Sequence, residues 1–368
     1  MKILPNNLQR QHDINAQEYN NKAIEVLNSG WYVLGKEVKA FEEEFTKYIN
    51  AKYCVGLASG LDALQIAFRI LEIKENDEVI VCSNAYIACV MGITMNGAIP
   101  IFVEPDKYDN LDANKIEEKI TKNTKAILAV HLYGQSCDMT KIMDIAKKHN
   151  LKVVEDCAQA HGTKWNNKNA GTFGDIACWS FYPTKNLGAF GDGGAVTTDN
   201  EEYANQARVI RNYGASKTHY DNELVGMNSR LDELQAGLLR VKLSHLDELN
   251  NERIKIANRY NNEIKNSLIK PLQTRPGSNN VYHQYVVHVS DGKRNALMEY
   301  LKDFEIGTII HYPIPSPLQT AYKYLGYKKG DFPIAEKYAN EVLSLPMYNG
   351  MSKEEQDFII DKLNSFKG

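Results

Sequence analysis

Short apolar runs alternate with helix-like stretches through the first two-thirds of the chain, and this alternation restricts the fold more than any single motif does. Tyr53–Leu57, Glu78–Val81, Ile99–Val103, Lys125–Val130, Leu151–Glu155, Asp175–Phe181 and Gly194–Thr198 have the length and composition of strands. Several are apolar on both faces, as strands covered by helices on each side must be. Between them, Asp62–Leu71, Tyr86–Asn96, Asp112–Ile120 and Met139–His149 read as helices. The pattern predicts an α/β fold with a mostly parallel central sheet.

A chain of 368 residues exceeds the roughly 150 expected of one domain, so a second core is expected. The pattern changes at Ser229. Ser229-Arg230-Leu231-Asp232 reads as a capping box, and Leu231, Leu234, Leu238 and Val241 recur at helical spacing. A long helical region toward Asn262 leads to a strand (Gln284–Val289), a helix (Arg294–Phe304), a strand (Gly307–His311) and a helix (Ala335–Leu343). The expected division is 1–248, a large ligand-binding domain, and 249–368, a smaller α+β domain.

Charge and composition exclude several functions. The net charge is −3, and the densest basic run is Lys328-Lys329, too little for a nucleic-acid footprint. The first fifteen or so residues have no signal-peptide pattern. The most apolar stretch, Ile87–Met95, is about half the length a membrane helix needs. Cys54, Cys82, Cys89, Cys137, Cys157 and Cys178 stand singly, mostly in apolar runs, and read as small buried hydrophobes. The histidines are scattered without metal-ligand spacing, and no Gly-x-Ser-x-Gly elbow occurs. A soluble, reduced, cytoplasmic protein without a metal is expected.

Three segments carry chemistry. In Ser180-Phe181-Tyr182-Pro183-Thr184-Lys185-Asn186-Leu187-Gly188, a lysine follows a buried strand, where open α/β sheets bind ligands. Alone it reads more readily as a solvated loop lysine beside a turn. Asp156 ends the preceding strand, where a buried carboxylate needs a cationic partner; a helix cap or a core arginine would also account for it. Ser59-Gly60-Leu61-Asp62 joins a strand to a helix start, whose free N–H groups suit a phosphate, although Asp62 would compete with the anion. The three together suit a phosphorylated ring that carries a basic nitrogen and an aldehyde.

At these residues the chain resembles the DegT/DnrJ family of sugar aminotransferases, which share the aspartate-aminotransferase fold. The likeness runs from Ser29-Gly30-Trp31-Tyr32-Val33-Leu34-Gly35 to Leu343-Ser344-Leu345-Pro346. It passes through Ser59–Leu64, His131-Leu132-Tyr133-Gly134-Gln135, Glu155-Asp156, Gln159, Ser180–Gly194, Arg211-Asn212-Tyr213-Gly214 and Asn228–Ala236. The resemblance implies pyridoxal 5′-phosphate (PLP) held as a Schiff base on Lys185. It implies Asp156 at the pyridine nitrogen, Gln159 at the ring hydroxyl, Tyr86 stacked on the ring, and Gly60, Leu61 and Ser180 at the phosphate. Asn228 resembles a residue that reaches the neighbouring subunit's phosphate, so a homodimer is implied. His161, Tyr182, His311 and Tyr312 are candidate substrate contacts.

Within the family the likeness is to enzymes that aminate carbon 3 of dTDP-3-keto-6-deoxyhexoses, carried by Gly60–Leu64, His311-Tyr312-Pro313-Ile314-Pro315 and Asp331–Glu336. The chain departs from that subgroup at Pro317, where histidine is usual, and at Cys157, where alanine is commoner. The implied reaction moves an amino group from L-glutamate to the keto sugar, with Lys185 as general base and ping-pong kinetics. Three alternatives stand beside it: amination at carbon 4, a sugar dehydratase, and a non-catalytic binding protein. The dehydratase relatives carry histidine at the position of Lys185. Against the binding protein stands the intact set of Lys185, Asp156 and Gln159.

Overall fold

The computed structural model describes residues 1–215 and 221–368. The first nine strands are β1 (Tyr53–Leu57), β2 (Glu78–Cys82), β3 (Ile99–Val103), β4 (Thr124–Val130), β5 (Lys152–Asp156), β6 (Lys164–Trp165), β7 (Lys168–Asn169), β8 (Ile176–Ser180) and β9 (Gly194–Thr198). All but the β6–β7 hairpin join one seven-stranded sheet in the order β1-β9-β8-β5-β4-β2-β3. The pairs from β8 through β3 are parallel, and β9 runs antiparallel to both of its neighbours.

Helices cover both faces, as the doubly apolar strands require. The α-helices among the described residues are α1 (Leu8–Ile14), α2 (Ala16–Ser29), α3 (Lys36–Ile49), α4 (Gly60–Ile70), α5 (Ile87–Thr94), α6 (Met139–His149), α7 (Glu201–Ile210), α8 (Glu233–Ser244), α9 (Leu246–Glu263), α10 (Arg294–Asp303), α11 (Pro333–Glu341) and α12 (Lys353–Ser365), with α3 to α8 against the large sheet. Alternate residues of β8 enter different cores. Ile176 and Cys178 pack with α4 to α7, whereas Ala177 and Trp179 pack with Phe41 and Phe45 of α3 and Leu239 of α8. This is the period of two that a strand buried on both sides must show.

A further core gathers Tyr260, Val287, Leu297, Leu343 and Ile359. It lies around a three-stranded antiparallel sheet of β10 (Ile269–Pro271), β11 (Tyr285–Val289) and β12 (Val342–Leu345). Helix α9 runs across the expected division at 248/249. Ile3, near the N-terminus, belongs to this core, so the chain's beginning packs with its end.

Several expected elements differ. Asp112–Ile120 forms two short 3₁₀ turns, Ala113–Lys115 and Glu117–Lys119, instead of an α-helix. The Asp112 side chain accepts the Asn114 N–H, and only Ala113 and Ile116 of the turn are buried, a stripe too narrow to hold a longer helix against the sheet. Gly307–His311 is not a strand; single bridges tie Ile306 to Ile3 and Ile309 to Ser344. Ser229 does not cap a helix. Helix α8 starts at Glu233 after Asp232, and the Ser229 hydroxyl instead donates to Asp62 Oδ2 at 2.6 Å and accepts the Ala58 N–H at 3.1 Å. The expected helix over 335–343 divides into α11 and β12.

Candidate active site

Loops leaving the C-terminal ends of β1, β5 and β8 open on one cavity of about 440 Å³. Gly60, Leu61, Tyr86, Asp156, Gln159, Ser180, Tyr182, Lys185, His311 and Tyr312 all line it. Asn228 and His161 do not. Asn228 is exposed, and an isolated β-bridge pairs it with Asn212. His161 is wholly buried, its ring centroid 5.4 Å from that of Trp179 and 5.8 Å from that of Phe181.

The first loop is a seat for an anion. Of the early N–H groups of α4, that of Asp62 is taken by the Ser59 hydroxyl at 3.1 Å, and that of Ala63 by the Ser59 carbonyl at 3.1 Å. Gly60 and Leu61 stand at the very start of the helix, on the cavity wall, where the helix dipole is most positive. The Asp62 carboxylate, a competitor for any anion, is turned toward Ser229. A Cβ on residue 60 would come within 2.6 Å of Ser180 Cβ, so only glycine lets these two loops touch.

The second loop supplies a buried negative charge. Asp156 is 6% exposed. Its Oδ1 accepts the Ala158 N–H at 3.0 Å and its Oδ2 accepts the Cys89 thiol at 3.0 Å. Beside it, Gln159 is oriented by two bonds: Oε1 accepts the Tyr133 N–H at 2.7 Å, and Nε2 donates to the Tyr312 hydroxyl at 3.2 Å. Tyr86 caps α5 without a side-chain bond and sits with its ring centroid 5.0 Å from that of Tyr312.

The third loop carries the amine. The Lys185 N–H closes a turn on the Tyr182 carbonyl at 2.8 Å, and Gly188 completes it, since a Cβ there would lie 2.4 Å from the Pro183 oxygen. Burial brings the Lys185 pKa down to about 8, with the charge of Asp156 opposing that shift. His311 is brought down to about 4, by burial and then by the Lys185 charge, and its Nδ1 lies 2.8 Å from the Ser344 hydroxyl.

Other wall residues were not singled out as site residues from the sequence: Cys89, His131, Thr184, His283 and Gln284. His131 had a signal, because it opens the His131–Gln135 motif. Its Nδ1 accepts the Cys137 N–H at 3.1 Å and its Nε2 lies 3.0 Å from Glu155 Oε2. His283 and Gln284 enter from the C-terminal part of the chain, and nothing local marks them.

The cavity fits PLP. The Gly60 and Leu61 amides at the tip of α4, which have no partner among the described residues, suit the phosphate, Asp156 suits a protonated ring nitrogen, and an amine of lowered pKa suits the aldehyde. Fold and site together define the class, a PLP enzyme on the aspartate-aminotransferase scaffold.

The chain belongs to the DegT/DnrJ/EryC1/StrS aminotransferase family, whose model matches residues 13–364. It is 50% identical over 359 residues to the dTDP-3-amino-3,6-dideoxy-alpha-D-galactopyranose transaminase of Aneurinibacillus thermoaerophilus, across 97% of this chain and 98% of that one. It superposes on DesV of S. venezuelae, solved in complex with a ketimine intermediate, with a TM-score of 0.95 and 40% identity, across 99% of this chain and 98% of that one. NtdA of Bacillus subtilis, solved with bound cofactor PMP, matches with a TM-score of 0.86 and 31% identity, across 95% of this chain and 81% of that one.

Proposed function

We propose that this protein is a PLP-dependent aminotransferase that places an amino group on carbon 3 of a dTDP-3-keto-6-deoxyhexose, with L-glutamate as donor. The observation that carries the reading is the meeting of the Lys185 amine and the Asp156 carboxylate in one cavity with the tip of α4. The likeness to a dTDP-3-amino sugar transaminase over nearly the whole chain supports the position aminated.

PLP, when bound, supplies the electron sink that makes the proton on the amine-bearing carbon removable. The protein supplies the rest. Gly60, Leu61 and Ser180 would hold the phosphate, and Asp156 would keep the ring nitrogen protonated. Gln159 meets the ring hydroxyl and Tyr86 covers the ring face. The Lys185 amine would take and return the substrate proton, a role its pKa of about 8 suits near neutral pH. Tyr182, His311 and Tyr312, which line the same cavity, contact the sugar nucleotide.

A second copy of the chain completes the site through Asn228. The exposed apolar group of Trp31, Tyr32 and Val33 supports such a dimer, with exposures of 63%, 53% and 39%. The cytoplasm suits six unpaired buried thiols. No helix among the described residues is long and apolar enough to cross a membrane.

The test is turnover of dTDP-3-keto-6-deoxyglucose and its galacto epimer with glutamate, with NMR locating the new amine. An amine at carbon 4, or no turnover of either sugar by PLP-loaded protein, overturns the substrate assignment. Borohydride reduction followed by peptide mapping tests the cofactor link separately, and a label on any residue other than Lys185 refutes it.

A further inference from the structure

Asp156 is held from two sides, and one of its holders is a thiol. The Cys89 Sγ lies 3.0 Å from Asp156 Oδ2. Cys89 is 1% exposed, in the first turn of α5, three residues after Tyr86 on the cavity wall. Burial and the adjacent carboxylate raise the thiol pKa well above its ordinary value. The sulfur therefore keeps its proton and can only donate.

We infer that Cys89 is a positioning residue for the cofactor: its S–H···Oδ2 bond, opposite the Ala158 N–H on Oδ1, fixes the rotation of the Asp156 carboxylate toward the ring nitrogen. This rests on the reading of Asp156 given above. A carboxylate free to turn about its last bond presents its lone pairs over a range of angles, whereas one held at both oxygens presents a single edge. A thiol is also a weak donor, so it orients Asp156 while withdrawing little of the negative charge that must keep the ring nitrogen protonated. A third consequence is mechanical. The same turn of α5 carries Tyr86 and Cys89, so the bond to Asp156 ties the aromatic cover to the end of β5.

The experiment compares wild type, Cys89→Ser and Cys89→Ala as full-length proteins. PLP dissociation constants are measured on apo-protein by quenching of tryptophan fluorescence, Trp179 lying on the cavity wall. The pH titration of the bound cofactor's visible absorbance is followed in parallel. Because a thiol is a weak donor, Cys89→Ala should weaken PLP binding by roughly twofold to tenfold, the range of an ordinary hydrogen bond, and should shift the absorbance titration. Cys89→Ser keeps a donor and should restore both toward wild type. Equal PLP affinity in all three proteins overturns the inference, as does serine matching alanine, which would reduce Cys89 to packing. Should Cys89→Ala fail to fold, Cys89→Ser against Cys89→Val decides by the same comparison. Failure of wild type itself to bind PLP would instead sink the cofactor reading beneath it.

Discussion

Glu155, next to Asp156 but facing the other way, can be tested without any substrate. It is fully buried, and each of its oxygens accepts two hydrogen bonds. Oε1 takes the N–H groups of Phe173 and Gly174 at 2.7 and 2.8 Å, and Oε2 takes the Gly171 N–H at 2.8 Å and His131 Nε2 at 3.0 Å. The Cys137 N–H occupies His131 Nδ1, so that nitrogen holds a lone pair and Nε2 is the donor. In Glu155→Gln one oxygen becomes an NH2 group, and two of the four donors face another donor in a dry site. Each stranded donor costs about 1–3 kcal/mol, so the variant should lose about 2–6 kcal/mol. That is a large part of the roughly 5–15 kcal/mol by which domains are stable.

The assay is urea denaturation followed by circular dichroism at neutral pH, with the slope unchanged between variant and wild type. A loss below about 1 kcal/mol would refute the hydrogen-bond count. The pH dependence has a definite sign. Burial alone would raise the Glu155 pKa, but His131 and the Gly174 and Gly171 amides hold it below the usual carboxylate value. A carboxyl depressed in the folded state stabilises fully above its unfolded pKa, about 4.3, and loses that contribution as pH falls through the folded value. The gap between wild type and Glu155→Gln should therefore stay constant from pH 8 to about pH 5 and close only in stronger acid.

Further expectations concern the cavity itself. In apo-protein, Lys185 should react with an amine-directed reagent with a midpoint near pH 8, against about 10.4 for an ordinary lysine, and Asp156→Asn should lower the midpoint further by removing the opposing charge; an unshifted midpoint measured by peptide mass spectrometry would contradict the burial. Gly60→Ala forces a Cβ to within 2.6 Å of Ser180 Cβ, so the loops must part and PLP affinity should fall at least roughly tenfold by fluorescence titration, about 1.4 kcal/mol. If Asn228 serves the neighbouring site, mixing Lys185→Ala with Asn228→Ala should restore activity that neither has alone, because one site of the mixed dimer is intact. No recovery on exchange of subunits would place Asn228 outside the shared site.

Much of this was legible in the chain itself, because some signals are local. Strands covered on both faces write themselves as unbroken apolar runs, and all seven expected strands of the main sheet are present. Helix α6 occupies Met139–His149, the span its periodicity predicts. Helix α3 was equally readable from Val38, Phe41, Phe45 and Ile49 at helical spacing, yet it was not among the expected elements. Lys185, Asp156 and Gly60 each announce themselves by what lies within a few residues: a strand end, a turn glycine, a helix start.

What the order of residues could not supply is the identity of partners distant along the chain. Asp62 reads locally as a rival to the phosphate, and only its bond to Ser229, 167 positions away, turns it aside. Ser229 reads as a helix cap until that same bond occupies it. Cys89 reads as an ordinary small hydrophobe, and folding sets its sulfur on Asp156, 67 positions later. His161, flanked by motif residues, is drawn between Trp179 and Phe181 and away from the cavity. Backbone periodicity is set by neighbours in sequence, so it survives in the bare chain. A side chain's hydrogen-bond partner is chosen by packing of whole elements, and that choice exists only once the sheet and its helices have closed around it.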